Sequence, residues 1–113
     1  MSHQTHTYEI RFEGLSASEA GIKAAKLRRE LLDVSPEVSV NLTKDDPTNQ
    51  DFGATLILVL GTPAILAVAN GIASYIARDR AKIVISKNGE VIAEGISGGD
   101  AARIAEALSK HVE

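Results

Sequence analysis

Between Phe52 and Ala77 the chain carries no charged residue, a run of 26 positions in a sequence of 113. Such a run is long enough to span a bilayer. Its flanks fit that reading, with Asp45, Asp46 and Asp51 before it and Arg78, Arg80 and Lys82 after it. Against a span, Gly61-Thr62-Pro63 interrupts the run near its middle, and Asn70, Ser74 and several alanines dilute it. Removing it would also leave two fragments each too small for a core. The run therefore reads as a buried, Gly-Pro-broken helical hairpin. Gly61, Thr62 and Pro63 supply a helix stop, an N-cap and a first-turn proline in succession, which predicts helical pieces over about Phe52–Leu60 and Pro63–Asp79. The first piece stays open between helix and strand, because Thr55-Leu56-Ile57-Leu58-Val59-Leu60 fits a buried strand equally well by length and β-branching.

The rest of the chain is patterned more simply. Tyr8, Ile10 and Phe12 alternate with Glu9, Arg11 and Glu13, the period of a strand with one buried face. Ser16 and Glu19 form a capping box, after which Ala20, Ala24, Leu27 and Leu31 recur at helical spacing, predicting a helix over about Ala17–Asp33. Ser35-Pro36 stops it, and Val38, Val40 and Leu42 alternate as a second strand. The acidic, proline-broken stretch from Lys44 to Asp51 is an exposed loop. Ile83 and Ile85 lie on a strand, Asn88-Gly89 makes a two-residue hairpin turn, and Val91 and Ala93 continue on the return strand. Asp100 caps a last amphipathic helix carrying Ala101, Ile104, Ala105, Leu108 and Val112.

These elements give the order β-α-β-α-α-β-β-α. A right-handed first crossover would set the first two strands parallel, and the hairpin adds an antiparallel pair, so the expected fold is α+β with a mixed four-stranded sheet. Residues 1–7 have no apolar patterning and read as a flexible tail, leaving 8–113 as a single domain. A chain of this length buries roughly two thirds of its unfolded surface, enough for one core. Net charge is -3 with no long basic run, which disfavours nucleic acid as a partner. Zero cysteines exclude disulfides and thiolate chemistry and fit a cytoplasmic protein, as does the lack of an apolar secretory leader.

The apolar helix poses a covering problem. It is apolar nearly all round, whereas one sheet covers one side, so its other side must meet a second helix of the domain, a partner chain or lipid. Ala69, Ala73 and Ala77 share one face at small-xxx-small spacing, and Ala67 with Gly71 does so on another. These five residues are the expected protein interface. Self-association is its simplest use, since most oligomers are two-fold homodimers.

Catalytic chemistry is poorly supported. Gly95-Ile96-Ser97-Gly98-Gly99 matches the G-x-S-x-G nucleophile elbow, but the nearby Asp100 and His111 lie on one short helix, and 113 residues cannot build the sheet such an elbow needs. A tight strand-to-helix turn is the better reading. The same glycines could bare helix N-terminal amides to an anion, yet a capping Asp100 would repel it. His3 and His6 lack a third metal ligand, and His111 fits a favourable charge near a helix C-terminus. Asp45, Asp46 and Asp51 lack the spacing and distal glutamate of a calcium loop. The expectation is a non-enzyme with no metal and no cofactor.

The whole layout resembles the effector-associated constant component domain of bacterial conflict systems. The resemblance runs from Tyr8 to Val112: a strand at Tyr8-Glu9-Ile10-Arg11-Phe12, a capped Arg-containing helix, an acidic loop, and the uncharged Gly-broken segment ending in Tyr75-Ile76-Ala77-Arg78-Asp79-Arg80. Lys82-Ile83-Val84-Ile85 and the Asn88-Gly89 hairpin follow. It implies a non-catalytic adaptor or regulator of an effector, such as a caspase-like or trypsin-like peptidase, acting in bacterial defence. The alternating charges of Arg78-Asp79-Arg80 depart from a uniformly basic run and speak against an anionic surface. The competing expectation is a membrane-associated component that uses segment 52–77.

Overall fold

A computed structural model describes residues 5–34, 38–44, 54–97 and 100–110. In chain order the elements are β1 (Thr5–Phe12), α1 (Ala17–Leu32), β2 (Ser39–Lys44), β3 (Ala54–Gly61), a 3-10 turn (Thr62–Ala64), α2 (Ile65–Asp79), β4 (Ile83–Lys87), β5 (Glu90–Ile96) and α3 (Ala101–Lys110). The fold is α+β, as expected from the sequence, with three helices and one five-stranded sheet among the described residues.

Two expectations about the sheet are corrected. It has five strands in the order β2-β3-β1-β4-β5, and every pairing is antiparallel. The first helical piece of the uncharged run is β3, inserted between β1 and β2. The order is therefore β-α-β-β-α-β-β-α. The first two strands do run the same way, because each is antiparallel to β3, but they are not neighbours. Likewise α2 joins β3 to β4 across β1, so the first four strands form two interlocked split βαβ units, the ferredoxin-like pattern of connections.

The insertion of β3 explains its composition. Leu56, Leu58 and Leu60 are fully buried on the helix side, while Thr55, Ile57 and Val59 alternate with them on the other face. A strand flanked on both sides has no edge, and β-branched residues suit its pleated surface. The N-terminal strand also starts earlier than expected. Residues 5–7 belong to β1, where Thr7 pairs with Val59 and His6 is buried, so the tail does not extend to residue 7.

Local signals elsewhere act as read. The Ser16 hydroxyl accepts the Glu19 N–H at 3.1 Å and starts α1. Asn88 and Gly89 turn the β4–β5 hairpin with φ of 55° and 83°, the positive pair that a tight primed turn requires. Tyr8 in β1 reaches the far end of the chain, donating its hydroxyl to the Leu108 carbonyl at 2.7 Å and satisfying one of the orphan acceptors at the end of α3.

All three helices belong to one core layer, with α2 touching both α1 and α3. That placement answers the covering problem. Most of the apolar circumference of α2 meets the core below and a helix on either flank, while Leu66, Ala67 and Ala77 stay on its exposed side. Among the described residues no helix is long and apolar enough to cross a membrane.

Candidate interaction site

The residues expected to form an interface are divided by the fold. Ala69 is fully buried and Ala73 is 7% exposed, so both point into the domain's own core and cannot present a docking face. Gly71 serves close helix approach within the domain: a Cβ there would stand 3.1 Å from Val34 Cγ2 and 3.2 Å from Leu31 Cδ2 at the end of α1. Ala67 and Ala77 are exposed, beside Leu66, Asn70 and Ser74. Ala69, Gly71 and Ala73 thus mark packing of α2 within its own fold, whereas Ala67 and Ala77 lie on its exposed side.

The motifs considered for chemistry are not assembled into a site. Ser97 donates its N–H to the Asp100 carboxylate at 3.1 Å, while Gly95 donates its N–H to Glu13 Oε1 at 3.1 Å and ties β5 to the residue after β1. Asp100 begins α3 by accepting the Ile104 N–H at its backbone carbonyl. His6 is buried with Nε2 3.1 Å from Thr62 Oγ1, and burial followed by the charge of Lys87 lowers its pKa. Thr62 Oγ1 thus meets β1 and makes no helix cap. His3, His111, Asp45, Asp46, Asp51, Gly98 and Gly99 lie outside the described residues. Among the described residues no cluster of His, Asp or Glu could hold a metal ion.

The two edges of the sheet differ sharply. At one edge, β5 pairs with β4 through two register shifts and carries exposed Glu90 and Glu94. Bulges and charges are the ordinary means by which a sheet discourages another strand from adding to it. At the other edge, β2 pairs with β3 without a break from Ser39↔Val59 to Lys44↔Ala54, and Lys44 at its end is the one charged residue in the strand. A regular edge with a single terminal charge presents backbone donors and acceptors at the spacing another strand needs, apart from any already taken by a side chain.

Helix α1 overhangs this edge. Ala25, Arg28, Arg29 and Leu32 recur at i, i+3, i+4 and i+7, and with Asn41 and Leu42 of β2 they line a groove of about 360 Å³. Leu32 and Leu42 are 39% and 38% exposed, leaving two aliphatic side chains at the mouth with nothing over them among the described residues. Arg28 donates its Nε–H to the Val40 carbonyl at 2.9 Å, fixing the helix above the strand. Among the described residues no carboxylate lines the groove. Glu30 pairs with Arg78 toward α2, and Lys23 pairs with Asp79 at 3.2 Å, so these two carboxylates are engaged on the α2 side of α1.

The α1–α2 contact carrying those pairs is a fastening. The Tyr75 hydroxyl is buried beside Asp79 but outside hydrogen-bond geometry; burial first, then that carboxylate, raises its pKa. Phe12 closes over Tyr75 edge-on, with ring centroids 6.2 Å apart.

The open face of the sheet is a weaker candidate. Ile57, Val59 and Val84 are half-buried there among Thr7, Glu9 and Arg11, and the Arg11 Nε–H is donated to Thr55 Oγ1 at 3.1 Å. Sequence reasoning missed the β2 edge because an edge is a property of strand order. The Ala25-Arg28-Arg29-Leu32 stripe was the available signal, a second face of α1 mixing aliphatic and basic side chains. Compared with protein families, with curated proteins and with solved structures, the chain has no match in any of the three.

Proposed function

We propose that this domain is a non-catalytic protein-interaction module that receives an extended segment of a partner protein along β2, beneath α1. The observation that carries the reading is the asymmetry of the two sheet edges, one bulged and charged, the other regular and bordered by an apolar-basic groove. Strand addition draws affinity from backbone hydrogen bonds and specificity from pockets for alternate side chains, and the β2–α1 groove supplies both components. The sequence layout that resembles the effector-associated constant component domain supports a role as adaptor or regulator of an effector, such as a caspase-like or trypsin-like peptidase, in bacterial defence.

The test is co-expression with a caspase-like or trypsin-like peptidase, should one be encoded beside this chain, followed by size-exclusion chromatography. A stable complex with the parent chain, lost in a folded Leu42→Glu variant, is expected. A complex that Leu42→Glu leaves intact would place binding on another surface and contradict strand addition, and no complex at all would contradict the adaptor role.

A further inference from the structure

We infer that the β2–α1 groove selects an extended segment in which an aliphatic and an acidic residue stand two positions apart. The inference rests on the strand-addition reading above and adds the chemistry of the occupant. A strand laid beside β2 turns alternate side chains toward the helix, so residues i and i+2, about 6.7 Å apart, face α1 together. On α1, Leu32 and Arg29 stand three residues apart, about 4.5 Å along the helix axis, a separation that long side chains bridge readily. One helix-facing position of the segment therefore meets Leu32, which is left partly exposed. The next meets Arg29, which is exposed and has no ion-pair partner among the described residues.

Charge complementarity fixes the sign of that second position. Arg28 and Arg29 line the groove with no carboxylate among the described lining residues, and the Nε–H of Arg28 is already committed to Val40. The same charges oppose a second copy of this chain as the occupant. A two-fold pairing of β2 with β2 would bring Arg28 and Arg29 of one copy toward those of the other, setting like charges face to face.

The probe is a fluorescent peptide of threonine and serine with one leucine and one glutamate two positions apart, titrated with the full chain and followed by anisotropy. Saturable binding is expected, and replacing the peptide's glutamate by lysine should weaken it by roughly fivefold, the scale of an exposed charge pair. The Arg29→Glu variant should reverse that preference, and N-methylation of alternate peptide amides on the pairing edge should abolish binding while keeping every side chain. Absence of saturable binding overturns the inference. So does equal binding of the glutamate and lysine peptides, an Arg29→Glu variant with unchanged preference, or dimerisation through β2 that excludes the peptide. If the effector complex is lost on Leu42→Glu yet the peptides show no charge preference, strand addition stands and the proposed selectivity alone fails.

Discussion

Arg28 of α1 donates its Nε–H to the carbonyl of Val40 in the edge strand β2 at 2.9 Å. This bond sets the height of the helix over the strand and thereby the width of the groove between them. Replacing Arg28 by Ala should destabilise the domain by about 1 kcal/mol, since a charge-assisted donor to a half-buried carbonyl is removed. Lysine should recover part of that loss at most, because an ammonium cannot reproduce the planar Nε–H geometry. Urea unfolding of the three proteins, compared at constant m-value, measures both effects.

Burial of Ala73 changes what a charge on α2 does. Ala73→Glu places a carboxylate in the core and should unfold the domain or cost about 3 kcal/mol or more, whereas Ala77→Glu on the exposed side should stay within about 0.5 kcal/mol. Circular dichroism melts separate the two outcomes. A folded Ala73→Glu protein with a parent-like melting temperature would contradict the packing described for α2.

Much of this architecture was legible in local chemistry, and the part that was not is non-local. The Ser16–Glu19 box, the period-two stretch at Tyr8 and Ile10, and the Asn88-Gly89 turn each fix a short segment by its own residues. For β3 the continuous apolar run hid the period, although β-branched Thr55, Ile57 and Val59 alternating with Leu56, Leu58 and Leu60 favour a strand. Neither the insertion of β3 between β1 and β2 nor the edge position of β2 is encoded in any short window. Leu42 illustrates the consequence: its alternation with Val38 and Val40 predicts a core residue, yet at the edge it is 38% exposed. The spacing of Ala69 and Ala73 announced close packing correctly without saying that the neighbours belong to the same domain.

The hairpin turn offers a clean test of backbone strain. A Cβ on Gly89 would meet no atom within 4 Å, so a substitution there acts through its φ of 83° alone. Gly89→Val should cost about 1 kcal/mol or more, and Gly89→Ala less, since a β-branched side chain resists positive φ most. An unchanged melting temperature for Gly89→Val would contradict the turn geometry.

His6 gives the domain a pH dependence of known sign. Burial, then Lys87, lowers its folded pKa below the ordinary value of 6.5, so the unfolded chain binds the proton more readily. Its contribution to stability is complete above 6.5 and is lost as pH falls from there through the lowered folded value. The difference in unfolding free energy between the parent and His6→Gln, measured from pH 8 downward, should therefore shift toward the variant below about pH 6.5. A difference independent of pH would contradict the buried, neutral imidazole.

Amide hydrogen exchange on the full chain, alone and saturated with the leucine–glutamate peptide, tests the role of the β2 edge most directly. In the free chain the Ser39–Lys44 amides not bonded to β3 should exchange quickly, and on binding they should slow by about tenfold or more while the β5 amides stay unchanged. Protection that appears on α2, on β5 or on the open sheet face, with β2 unaltered, would contradict docking at this edge.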